Sequence, residues 1–219
     1  MQNDVVNDAV LTAPGAYMQV VGIVQSLAVG MLLQNAKLFQ LLAAGNVDFS
    51  SYAFWIALLQ ATAVFQLIVL TWHVSIQNVT AFRRAYGIWD SYIPFSTVFA
   101  EYFLILNSSP ERFQQWELCM ILFMAAAILA YTHGFAVSRR EAAKNDAAFA
   151  LIGRFPFWIR VYLIGIGLVA AVGFLMDAGQ PASRAIIAGI VDGGILLFSI
   201  LNTRFFWAPL IKAQDLRRG

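Results

Sequence analysis

Four ionisable side chains, Asp90, Glu101, His133 and Asp192, fall inside strongly apolar stretches of the sequence, with His73, Glu117, Arg160 and Arg204 nearer the ends of such stretches. A charge at the centre of a bilayer costs about 2.5–3.5 kcal/mol on insertion scales, so a chain that keeps one there uses it. Asp90, Pro94, Thr97 and Glu101 recur at spacings of four, three and four. At 3.6 residues per turn that spacing sets two carboxylates, a proline and a hydroxyl on one helical stripe. Such a stripe turns away from lipid, and Pro94 leaves a backbone carbonyl free along it. On a neighbouring stretch Thr62, Gln66, His73 and Gln77 share a face, and on a third so do Asp192, Ser199 and Thr203.

Carboxylates, hydroxyls and carboxamides at these spacings suit a proton relay or a cation path. From the rise of about 1.5 Å per residue, Glu101 lies about 9 Å from one end of its segment and Asp192 about 11 Å from the same-side end of its own. The two are expected at matching depth, with His73 and Asp90 near the opposite end. The expected ion or solute path runs through Asp90, Thr97, Glu101, Asp192, Gln60, Gln66 and His73. An equal alternative ties each carboxylate to an arginine, Arg204 or Arg160 for Asp90, purely for assembly.

The elements that must position these residues follow from composition. The chain has 219 residues, of which 60% are hydrophobic and 12% charged, with a mean hydropathy of +0.71. A soluble domain of this length would carry about 55 charged residues at the usual 25%; this one has 14 basic and 12 acidic. That composition excludes an ordinary soluble domain. The net charge of +2 is too small and too dispersed for a nucleic-acid surface. The expected fold is all-α, a polytopic transmembrane helical bundle forming a single integral membrane domain over 1–219. Six stretches approach the 20 apolar residues needed to cross about 30 Å of hydrocarbon: 16–35, 53–72, 88–107, 118–137, 159–177 and 185–204. The first, interrupted by Gln19, Gln25, Ser26 and Gln34, is the one whose loss would leave five spans.

Met1 to Pro14 carries Asp4 and Asp8 but no Lys or Arg, the reverse of a signal-peptide start, so the first or second apolar segment is expected to act as its own insertion signal. With alternating crossings, eleven basic residues share one side: Arg83, Arg84, Arg139, Arg140, Lys144, Arg154, Arg160, Arg204, Lys212, Arg217 and Arg218. Lys37, Arg112 and Arg184 take the other. Cytoplasmic loops are enriched in Lys and Arg, which predicts a cytoplasmic C-terminus, a basic cytoplasmic loop over 138–158, and a plasma or bacterial inner membrane. The six tryptophans all fall near segment ends, as interfacial belts do.

Small residues mark where helix backbones can approach. Gly22, Ser26 and Gly30 repeat every four residues on the first segment, and Ala185, Gly189 and Gly193 on the last. Those faces suit contacts within the bundle, a homo-oligomer or a partner membrane subunit equally well. One cysteine, Cys119, excludes an intrachain disulfide. The sequence contains no HExxH, GxSxG or phosphate-binding glycine loop, which points away from an enzyme and calls for no metal, cofactor or nucleic acid. Three readings remain. One is a transporter- or channel-type protein. Another is a non-catalytic membrane subunit or sensor working through helix assembly and the basic loop. The third is a membrane enzyme acting on lipid.

Overall fold

A computed structural model describes the backbone over residues 2–45, 47–81, 88–142, 156–175 and 179–207, and side chains over 18–45, 47–76, 95–133, 158–175 and 179–205. The described chain is helical throughout. Helix α1 spans Gln2–Asn35, α2 Lys37–Ala43, α3 Tyr52–Ala81 and α4 Ile88–Leu106. A 3-10 turn, Pro110–Arg112, leads into α5, Phe113–Ala142; α6 is Pro156–Leu175 and α7 Pro181–Asn202, which continues into a π-helical turn, Thr203–Trp207. The expected all-α transmembrane bundle is what the chain forms.

Among the described residues five helical stretches are long and apolar enough to cross a membrane: Met18–Asn35, Tyr52–Ile76, Pro110–His133, Trp158–Leu175 and Pro181–Phe205. Six spans were expected, and the sequence singled out 16–35 as the weak one. That segment contributes a stretch that meets the length and hydropathy of a span. In the third segment, 88–107, side chains are described from 95 onward, and the apolar stretch among them is Phe95–Leu106.

The helices reverse direction one after another. The C-terminal end of α1 meets the α4–α5 turn, where the Lys37 backbone N–H donates to the Ser108 carbonyl at 3.0 Å. Arg184, in the first turn of α7, donates to the Pro110 carbonyl at 3.4 Å. Lys37, Arg112 and Arg184 therefore gather at one end of the bundle, and Glu111 faces the first two of them. The basic residues at 83, 84, 144, 154, 212, 217 and 218, and most of the loop 138–158, lie outside the described residues.

Helix α3 is the hub. It packs against α1, α2, α4 and α7, while α5 packs against α4 and α6, and α6 against α7. Half of its Tyr52–Ile76 stretch is buried, against 22% of Met18–Asn35. Ala57, Ala61, Ala63 and Val64 are sealed, small enough to bring neighbouring backbones close. The buried residues of α7, Ala188, Val191, Ile195, Phe198 and Asn202, alternate spacings of three and four, one face of a helix. Large apolar side chains such as Ile23, Leu129, Leu168 and Ile186 point outward, which suits a lipid-facing surface rather than a wet one.

Candidate functional site

Among the described residues three clusters of polar side chains lie inside the bundle around carboxylates, and two of them share α3. At the α3–α7 contact, the half-buried Asp192 carboxylate accepts from the Thr62 hydroxyl at 3.0 Å and from Gln66 Nε2 at 3.0 Å. Thr62 and Gln66 are one turn apart, so one carboxylate oxygen bridges consecutive turns of α3 from the opposing helix. Gln66 Oε1 is buried with no hydrogen-bond partner among the described residues. Six residues before it on α3, Gln60 is sealed at 0% exposure, and neither of its amide atoms has a hydrogen-bond partner among the described residues.

The second place lies among α1, α3 and α4. Glu101 on α4 is fully enclosed, and Thr97, one turn earlier on the same face, is buried with it. Gln25 from α1 and Thr71 from α3 face the Glu101 carboxyl. Neither carboxyl oxygen, and neither polar atom of Gln25, has a formed hydrogen bond among the described residues. The third place is at the hairpin end, where Glu117 on α5 is enclosed against Gly173 of α6 and faces Arg184 of α7. Trp116, also sealed, stacks on Phe113.

Of the path residues expected from sequence, Asp192 and Gln66 meet directly, joined by Thr62 from outside that set, and Thr97 and Glu101 share a buried face. Glu101 and Asp192 do not meet. Measured along α3, Thr71 lies five residues beyond Gln66, about 8 Å further and about 140° round the helix. The two carboxylates thus occupy different depths and different faces of α3. His73 is half-buried two residues past Thr71. The side chains of Asp90, Pro94 and Gln77 lie outside the described residues.

The small-residue faces divide. Ala185 packs against the core, and a side chain at Gly189 would touch Leu59 at 3.7 Å, whereas Gly193 has open space around it. On α1, Val21, Gln25, Ala28 and Leu32 are buried, and the adjoining Gly22 and Gly30 have nothing among the described residues within 4 Å of where a Cβ would stand. Ser26 between them is exposed and satisfies its hydroxyl by donating to the Gly22 carbonyl at 2.8 Å.

Sequence reasoning left Gln25, Thr71 and Glu117 out of the path, reading Glu117 only as an ionisable residue near a segment end and Gln25 only as an interruption of the first segment. Gln25 had a legible signal, since it falls in register with Val21, Ala28 and Leu32, the apolar stripe of α1. Among the described residues, no group of three or more His, Cys, Asp or Glu side chains is placed to hold a metal ion. Comparison of the chain with protein-family models, curated proteins and solved structures gives no match.

Proposed function

We propose that this is a transporter- or channel-type membrane protein in which α3 lines a polar path for a proton, cation or small solute. The observation that supports the reading is the concentration of polar groups on that one buried helix. Thr62 and Gln66 bond Asp192, Thr71 faces Glu101, and Gln60 is sealed without a hydrogen-bond partner among the described residues. Buried polar groups that are not needed to close a hydrogen-bond network cost stability, and a membrane chain that keeps several on its central helix has a use for them. In this reading the end bearing Lys37, Arg112 and Arg184 is external and the C-terminus cytoplasmic, which cysteine accessibility at 112 and 204 in intact cells tests. The functional test is ion and solute flux in proteoliposomes. Glu101→Gln and Asp192→Asn should each lower flux at least tenfold, and parental flux in both ends the proposal.

A second reading, a membrane subunit, draws on the open α1 face. Gly22 and Gly30 leave room for another helix to approach within backbone contact. Mass measurement in mild detergent separates the two. A complex that falls apart in Gly22→Leu and Gly30→Leu favours the subunit.

A further inference from the structure

The enclosure around Glu101 bears on what the path carries. The carboxyl is 0% exposed and Gln25 5% exposed, and all four of their polar atoms lack a formed hydrogen bond among the described residues. Gln25 faces the carboxyl from α1 and Thr71 from α3, Thr97 lies one turn away on α4, and no charged or titratable group among the described residues acts on it. A bare carboxylate sealed in this way would cost several kcal/mol with nothing to offset it.

One proton resolves both halves of the problem. A protonated carboxyl offers one donor and one free acceptor, and a carboxamide offers the same complement reversed. The acid O–H can donate to Gln25 Oε1 while its carbonyl accepts from Gln25 Nε2, leaving the Thr71 hydroxyl for a further bond. A metal cation would satisfy the carboxylate and Gln25 Oε1, but it would leave the buried Nε2 donor without an acceptor. We propose that Glu101, Gln25 and Thr71 form a proton-binding site in which Glu101 carries an exchangeable proton and Gln25 is its reciprocal partner. The site deepens the conduction reading above and rests on it for its purpose, because it names the proton as the ion that the α3 path handles.

The test uses the full chain in liposomes and dicyclohexylcarbodiimide, an apolar reagent that adds to protonated carboxyl groups. The acid proton passes to a carbodiimide nitrogen as the carboxyl oxygen bonds the central carbon. Peptide mass mapping should place the adduct on Glu101, with complete loss of that adduct in Glu101→Gln and no effect of replacing potassium by sodium. Infrared difference spectra should show a carboxylic C=O band that disappears in Glu101→Gln and moves to higher wavenumber in Gln25→Leu. Protection by sodium overturns the proposal in favour of a sodium site. Absence of both adduct and acid band in folded protein overturns it outright, and an acid band unmoved by Gln25→Leu removes Gln25 as the partner. Adduct and acid band on Glu101 in liposomes that pass no ions would support the proton site and end the conduction reading alone, whereas flux without either would do the opposite.

Discussion

Gly173 lies on α6 at a point where one added methyl group has no room. A Cβ there would overlap the Glu117 carboxylate oxygen and stand 2.9 Å from Ile187 Cγ2. The carboxylate is the flexible end of its side chain, but Glu117 is sealed at 0% exposure, so moving it presses on the surrounding side chains rather than displacing solvent. Ile187 Cγ2 is attached at a branched Cβ, stiff in a helix, so α6 and α7 must separate by a few tenths of an ångström. Overpacking of this kind costs about 1–3 kcal/mol. Alanine in a helix interior returns about 0.5–1 kcal/mol relative to glycine, which leaves Gly173→Ala less stable by up to about 2.5 kcal/mol and centred on about 1 kcal/mol. The assay is unfolding in mixed micelles with increasing denaturing detergent, followed by tryptophan fluorescence, with Trp116 beside Glu117 as the local probe. Gly22→Ala, Gly30→Ala and Gly193→Ala supply the control, since nothing among the described residues lies within 4 Å of their added methyls; each should be neutral or slightly stabilising. Removing the obstructing side chain in Gly173→Ala/Glu117→Ala should recover part of the loss, with a coupling energy of at least about 0.5 kcal/mol. If Gly173→Ala unfolds at the same point as Gly22→Ala, the close packing of α5, α6 and α7 around Glu117 is wrong.

Asp192→Ala strips the acceptor from Thr62 and Gln66, but Thr62 retains the Leu58 carbonyl at 2.9 Å. The expected loss is therefore about 0.6–1.7 kcal/mol, the range of interhelical hydrogen bonds in membranes, measured in the same unfolding assay. Gly45 adopts φ +68° just past α2, a left-handed conformation that costs a side-chain-bearing residue about 1–2 kcal/mol. Gly45→Ala should loosen the α2 end, read as faster local hydrogen exchange over 37–45. Asp48, in the connection before α3, accepts from the Ser50 hydroxyl at 2.6 Å and its backbone N–H at 2.9 Å, which hold its carboxyl below the ordinary value. Its contribution to stability is present above the unfolded-chain value and is lost as pH falls through the lower folded one. Ser50→Ala should move the Asp48 titration midpoint upward, as followed by the side-chain carboxyl resonance in NMR.

The helical membrane architecture was legible because the determining quantity, a run of apolar residues set against a fixed bilayer thickness, is local in sequence. Periodicity also placed Thr62 and Gln66 on one face of α3 and Asp192 on one face of α7, and those faces meet. Lateral order is not local. Whether Gln25 marks a weakness in the first segment or a buried partner for Glu101 depends on α4 lying beside α1, and no spacing within either segment encodes that.

Two polar sites on different faces of one rigid helix have a mechanical consequence. Because Asp192 is bonded to Thr62 and Gln66 and Glu101 is faced by Thr71, a rotation or slide of α3 displaces both sets of contacts together. An enclosed carboxyl such as Glu101 can exchange a proton only when its walls part, and one of those walls is α3 itself. The hydrogen bonds to Asp192 then oppose that opening from the far side of the helix. In Asp192→Asn the carboxamide oxygen accepts more weakly than a carboxylate, so the closed arrangement should be held less firmly and Glu101 should react faster with carbodiimide than in the parent chain. Unchanged reactivity in Asp192→Asn would mean that the two sites move independently and that α3 does not link them.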